Sequence, residues 1–565
     1  MITFDQYTYQ RPDFEEGKSR FEQLLKNFKA SNSVDEQSDA IKEINAFREA
    51  FSTQANLAFI RASIDTNDAF YQSERDYFDE VSPQIEELVT AYYKELIASK
   101  FRNELEDKWG SQLFDMADYS IKSFSPEIIS LLQQENKLSS EYSKLVASAQ
   151  VEFDGKTLTL AQLGPYREST DRDIRIQALA ASTKFFEGNE EKFDDLFDQL
   201  VKIRHKIAVT LGYKNFVELG YIRMMRIDYN ADMVKTFRDQ VRDYIVPLAS
   251  KLYERQATRI GVDKLKFYDE SLNFITGNAK PQGSPDWIID NGAKMYDELS
   301  SETGEFFRYM TERKLMDIEA KTGKESGGYC TFIEDYNSPF IFSNFNGTSG
   351  DIDVLTHEAG HAFQVYSSRN IGIPEYLWPT YEACEIHSMS MEFFTWPWME
   401  YFFKDDTEKY KFVHLSGALQ FLPYGVAVDE FQHVIYENPE MTPAERKSAW
   451  KKIEEIYLPH RDYDGNRYLE AGGFWQRQGH IYNSPFYYID YTLAQICAFQ
   501  FWKRSREDQE SAWKDYLHLC QLGGSKSFTK LVAEANLISP FEKGCVESVI
   551  GTIEDWLNSV DDQKL

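Results

Sequence analysis

Residues 354–364, VLTHEAGHAFQ, carry two histidines four apart, His357 and His361, with Glu358 directly after the first. On a helix, positions i and i+4 lie one turn apart on a single face, so both imidazoles can reach one ion. Glu358 sits one position round the same helix, where its carboxylate can work on a water molecule without binding the ion itself. H-E-x-x-H is the spacing of zinc sites that hydrolyse peptide bonds. The plain alternative is a solvated helix that happens to hold two histidines.

A catalytic zinc needs a third protein ligand and one open position. One known route places glycine three residues, and histidine six residues, after the second histidine. Here those positions are Gln364 and Ser367, so that route is closed. The other route takes a glutamate from a following helix. The stretch PTYEACEIHSMSMEFFTW supplies Glu382, Glu385 and Glu392, spaced along one helical face. Three carboxylates amid Ala, Met and Phe suit one ligand plus partners that orient the imidazoles. Residue types alone leave all three open. Further on, LPHRDYDGNRYLEAGGFWQRQGHIYNSPF is rich in Gly, Asp and Asn, the composition of a loop held over a rigid scaffold. Ser484-Pro485 predicts a helix start after it, with Tyr488 and Tyr491, three apart, on one face.

The elements that must hold these residues are mostly helical. Up to about residue 275 the chain reads as helix after helix. In SPQIEELVTAYYKELIAS, Ser82 and Pro83 supply an N-cap and first-turn proline, and Ile85, Leu88, Val89, Tyr92 and Leu96 form a stripe of helical period. IKEINAFREAF repeats the pattern with Ile41, Ile44, Phe47 and Phe51. These stripes face a core and imply no chemistry. VEFDGKTLTL, with Asp154-Gly155 between short alternating runs, predicts a β-hairpin. A division into an N-terminal helical lobe, 1–195, and a catalytic part, 196–565, is expected after FFEGNEEKF. The texture changes at KTGKESGGYCTFIEDYNSPFIFSNFNGTSGDIDV, where YCTFI and FIFSNF read as strands, so a small sheet directly precedes the histidine-bearing helix.

Composition narrows the class. The 565 residues exceed what one core usually takes, and 42% apolar residues with 15% aromatic build a large folded body. With 62 basic against 92 acidic side chains, the net charge of −30 repels phosphate backbones and acidic lipid, which argues against nucleic-acid or membrane partners. No run approaches a membrane span, and the first residues lack the basic head and apolar core of a signal peptide. Five cysteines, none in a C-x-x-C pair, argue against a disulfide framework or a thiolate zinc site. A cytoplasmic location is expected. Oligomeric state is not legible.

HEAGHAFQ followed by EIHSMSME, preceded by SNFNGTSGDIDVLTHE and followed by GHIYNSPFYYIDYTLA, resembles the thimet oligopeptidase and oligoendopeptidase F family of zinc metallopeptidases. The bacterial oligoendopeptidase F and Pz-peptidase branch is the most similar, and the likeness covers about residues 200–565. It implies a mainly α, two-lobed helical zincin-type fold with a small β-sheet beside the active-site helix and a deep central channel. It implies one Zn2+ held by His357, His361 and Glu385, with Glu358 as general base. It also implies His480, Tyr488 and Tyr491 as catalytic residues. Where the thimet branch has a further tyrosine this chain has Ser484, and Tyr482 is a candidate substitute; His387 is unusual for the pattern. The implied activity is endopeptidase cleavage of short unstructured peptides. The rival readings are a zinc carboxypeptidase on a related scaffold and a non-catalytic peptide-binding protein.

Overall fold

The apolar stripes of the N-terminal part become long helices, the first three with side-chain caps. Asp13 caps Phe14–Ala30 by accepting from the Glu16 N–H, and Ser33 caps Val34–Ile64 by accepting from the Glu36 N–H. The third helix differs from expectation: it runs Ala69–Ile97 with Pro83 inside it, capped by Asp68 rather than Ser82. Phe78 and Val81 before the proline, and Leu88, Tyr92 and Leu96 after it, are all buried. Packing on both sides therefore carries the helix through a residue that lacks an N–H. Ile41, Ile44, Leu88, Tyr92 and Leu96 share one core with Phe21 and Phe28, joined by Ile373 and Tyr376 from just beyond the histidine helix. Each such side chain contributes about 1.5–3 kcal/mol by leaving water.

The computed structural model of the chain describes residues 2–565. Among them no helix is long and apolar enough to cross a membrane. The hairpin forms as expected: β1 (Val151–Phe153) pairs antiparallel with β2 (Lys156–Leu158), and Asp154 and Gly155 both take positive φ, as a tight two-residue turn requires. Residue 195, at the expected division, lies inside a continuous helix, Glu190–Thr210. Leu57, Ile60 and Ile128 from before it lie in the same large core as Leu355, Phe363 and Ile386 near the candidate site.

The second sheet has three strands, β3 (Met316–Glu319), β4 (Tyr329–Ile333) and β5 (Ser338–Phe345), in the order β3-β5-β4. β5 lies between a parallel β3 and an antiparallel β4, and it is buried along nearly its whole length, which explains its continuous apolar run. β4 is an edge strand. Asp351 closes the turn out of β5 by accepting from the N–H groups of Asn346 and Gly347, each at 2.9 Å. The chain then enters the histidine helix, Gly350–Ser368. The carboxylate helix, Tyr381–Phe394, crosses it, and the tyrosine helix, Tyr488–Glu507, packs along the carboxylate helix in turn.

Candidate active site

Gly360 sets how closely the histidine and carboxylate helices approach. A Cβ at this position would stand 2.6 Å from the Ser388 Cα and 2.7 Å from the His387 carbonyl oxygen, so no larger residue fits without moving backbone. At this separation Glu385 Oε2 lies 3.2 Å from His357 Nε2 and 3.3 Å from His361 Nε2. One ligand atom from each of the three residues falls within 4.8 Å of the others.

Supporting bonds settle which atoms face that centre. Glu392 accepts from His357 Nδ1 at 2.7 Å and from His414 Nε2 at 2.8 Å. The Trp396 indole, which can only donate, points at His414 Nδ1 at 3.1 Å. His414 therefore carries its proton on Nε2. His357 likewise gives its Nδ1 proton to Glu392, which leaves the Nε2 lone pair directed at Glu385 and His361. Burial works against the charge on Glu392, but the hydrogen bonds from His357 and His414 outweigh it and hold the carboxyl below its ordinary range. Glu385 is likewise buried, yet His361 and His357 hold it well below that range. Ser388 donates to Glu385 Oε2 at 2.8 Å, and Tyr487 donates to Oε1.

The remaining glutamate of the trio faces elsewhere. Both Glu382 oxygens are buried without a partner, and burial pushes its carboxyl up to about 7, with Arg226 pulling the other way. His387 is fully buried, bonds the Ala383 carbonyl at 2.7 Å through Nδ1, and is pushed down to about 4 by burial. It is a neutral core histidine.

Glu358 is only 6% exposed, and its Oε2 has no partner. Its Oε1 lies against Gly328, where an added Cβ would come within 3.2 Å of it. Burial raises the Glu358 carboxyl above its ordinary value, although the neighbouring imidazoles oppose the shift. A carboxylate so placed can accept a proton from a water molecule.

The late loop brings a second set of donors across a cavity of about 880 Å³. Tyr424 donates to Gln478 Oε1 at 2.8 Å, which turns the Gln478 amide nitrogen to His480 Nδ1 at 2.7 Å. His480, pushed down to about 4 by burial, is neutral and keeps its proton on Nε2, 3.2 Å from the Tyr491 oxygen. That oxygen is thereby occupied as an acceptor, and its own O–H is free to donate into the cavity. Burial raises the phenols of Tyr487 and Tyr491 well above their ordinary value, so both stay protonated.

Of the expected residues, the fold brings His357, Glu358, His361, Glu385, His480 and Tyr491 to the lining of one cavity. Tyr488 does not line it; its ring packs on Phe421 and Tyr424, behind His480. Tyr487 takes the position beside Tyr491. The reason is local: the tyrosine helix begins at Tyr488, not at Ser484-Pro485. Phe486 is held at φ +67° by Gln432, which accepts its N–H at 2.7 Å, and by Arg226, which donates to its carbonyl at 2.6 Å. That residue breaks the helix and turns Tyr487 inward. Tyr482 is no substitute for the missing tyrosine, being fully buried and stacked on Tyr142 and Trp475, while Ser484 lines the cavity. Sequence reading also missed His414, Gln478 and Tyr424. None lies in a motif, though Gln478 stands two residues from His480.

Comparison with known proteins places the chain in a family. Residues 4–124 match the Peptidase M3 N-terminal domain, and residues 166–280 and 292–549 match Peptidase family M3. An oligoendopeptidase F homolog from Borreliella burgdorferi is 25% identical over 425 residues, 70% of this chain and 69% of that one. The solved structure of Pz peptidase A with an inhibitor is 65% identical and superposes with a TM-score of 0.99, covering 99% of this chain and 100% of that one. A Bacillus anthracis structure described as an oligoendopeptidase F is 56% identical, with a TM-score of 0.95 and full coverage of both chains. The mainly helical fold is thus shared with these proteins, and the chain belongs to peptidase family M3.

Proposed function

We propose that this protein is a zinc-dependent endopeptidase that cleaves internal bonds of short, unstructured peptides in the cytoplasm. The observation that carries the reading is the convergence of His357 Nε2, His361 Nε2 and a Glu385 oxygen, with the unpartnered Glu358 Oε2 on the same helix. Two imidazoles and one carboxylate are a fitting donor set for zinc, because they leave net positive charge and an open position. When bound there, zinc supplies Lewis-acid polarisation of a carbonyl and lowers the pKa of a water.

The chain's own groups do the rest. Glu358 accepts the proton of the attacking water on its free oxygen and passes it to the departing amine. Tyr491, its oxygen engaged by His480, donates its O–H to the oxygen that gains charge as the carbonyl is attacked. Tyr487 holds Glu385 in place. Gly328 to Thr331 line the cavity at the edge of β4, so the backbone of an extended peptide can add to that edge without strict side-chain demands. Glu392 fixes the tautomer of His357, as such carboxylate–histidine pairs do at metal sites.

The test is Glu358→Gln and Glu385→Ala, each assayed for zinc content and for cleavage of an internally quenched peptide. Glu358→Gln should keep zinc and lose about 10²–10⁴ in kcat, whereas Glu385→Ala should lose the metal. Turnover retained in Glu358→Gln would remove the base assignment. A peptide blocked at its C-terminus separates endopeptidase from carboxypeptidase action, since only the former cleaves it.

A further inference from the structure

Beside the candidate active site, two arginines line a separate cavity of about 340 Å³, in a chain whose net charge is −30, and a third, Arg477, lines the active-site cavity next to it. Arg167 and Arg461 line it, and Arg477 packs against its Phe474 wall at 5.2 Å. Among the described residues, Arg167 and Arg477 make no ion pair, and Arg461 pairs with Glu270 alone, at 3.0 Å. The Arg461 side chain is 8% exposed, and its Nε and Nη1 are buried with no hydrogen-bond partner. Its guanidinium lies 5.0 Å from the Phe267 ring and 4.8 Å from the Phe474 ring, two rings that meet edge to face. Aromatic contact does not satisfy the N–H groups of a guanidinium, which still need acceptors.

Glu454, a further carboxylate near Arg461, already accepts from Tyr463 and Trp450. Glu270 is shared between Arg461 and His460, whose Nε2 is 3.6 Å away. His460 is stacked on Tyr253 and held below its ordinary value by burial. Glu168, beside Arg167, is pushed up to about 7 by burial. Burial together with the charge of Arg477 pushes Arg167 down to about 10, the mark of like charges crowded without enough counter-charge. The rest of the lining is uncharged: aromatic (Tyr253, Phe421, Tyr424), aliphatic (Val413, Leu458) or small or polar (Ser271, Asn273, Gly417, Gln420).

We propose that this cavity is a binding site for a small oxyanion, either the carboxylate of a compact aromatic or peptidyl acid or inorganic phosphate. Arg167 and Arg461 bring two positive charges to the cavity, and the aromatic walls take an apolar body. The site does not depend on the catalytic reading, and its test needs no turnover.

The full-length protein is titrated calorimetrically at constant ionic strength with three probes: inorganic phosphate, N-acetyl-phenylalanine and N-acetyl-phenylalanine amide. Saturable binding of the acid but not the amide, with phosphate competing, assigns the site to a carboxylate ligand. Saturable binding of phosphate alone assigns it to free phosphate. In either case Arg167→Gln should weaken binding by roughly tenfold or more. Arg461→Met, checked for folding by thermal melting, should weaken it at least as much. If neither anion saturates below about 10 mM, or if both variants bind as the parent does, the proposal is overturned.

Discussion

Gly360→Ala isolates the helix approach on which the candidate metal centre depends. The added methyl would lie 2.6 Å from the Ser388 Cα, 0.8 Å short of the 3.4 Å at which ordinary contact begins, and 2.7 Å from the His387 carbonyl oxygen. Both obstacles are backbone, so no rotamer change relieves them, and the two helices must separate by most of that 0.8 Å. Overpacking of this kind costs about 1–3 kcal/mol of stability. The effect on the site is larger, because ligand distances tolerate only about 0.2 Å. Glu385, carried away with its helix, would leave the pair of Nε2 atoms that it now approaches at 3.2 and 3.3 Å. Zinc affinity, measured by titrating metal-free protein against a chelator of known strength, should fall by about 10–100-fold or more. Gly551→Ala is the control: it lies inside the helix Cys545–Ser559, and an added Cβ there meets nothing within 4 Å. It should leave zinc affinity unchanged and raise stability by about 0.5–1 kcal/mol. The reasoning is refuted if Gly360→Ala melts and binds zinc as the parent does.

Three further outcomes follow from the same geometry. Tyr491→Phe should lower kcat by about 10²–10³ with zinc affinity unchanged, and Tyr424→Phe should lower it less, by loosening Gln478 and His480; an unaffected Tyr491→Phe would remove the oxyanion role. Because Glu358 must be ionised to accept a proton and burial raises its value above 4.5, kcat/KM should fall with acid along a limb lying above pH 4.5; a profile flat down to that pH contradicts the role of burial. Glu334, pushed up to about 7 mainly by burial, binds its proton more tightly folded than unfolded, so stability declines as pH rises from about 4.5 to 7, and the penalty is complete above that. Glu334→Gln should therefore be more stable than the parent at pH 8 by up to about 3 kcal/mol, with the gap closing below pH 4.5; denaturant melts at the two pH values decide it.

The sequence by itself determined what depends on neighbours along the chain. Helical periodicity alone puts His357 and His361 on one face, alternation and Asp154-Gly155 are enough for the hairpin, and the run FIFSNF is enough for a strand. Three glutamates on one helix were visible, but their roles were not. In the fold, Glu385 meets both imidazoles, Glu392 takes the Nδ1 proton of His357, and Glu382 turns toward Arg226. Those roles depend on how far apart the helices lie and how each is rotated, and packing between distant segments sets both. The same holds for His414, for the helix that runs through residue 195, and for Tyr487, which faces the cavity because Gln432 and Arg226 pin Phe486. Local spacing carries the identity of a ligand, but only the tertiary structure decides which atom it turns toward the centre.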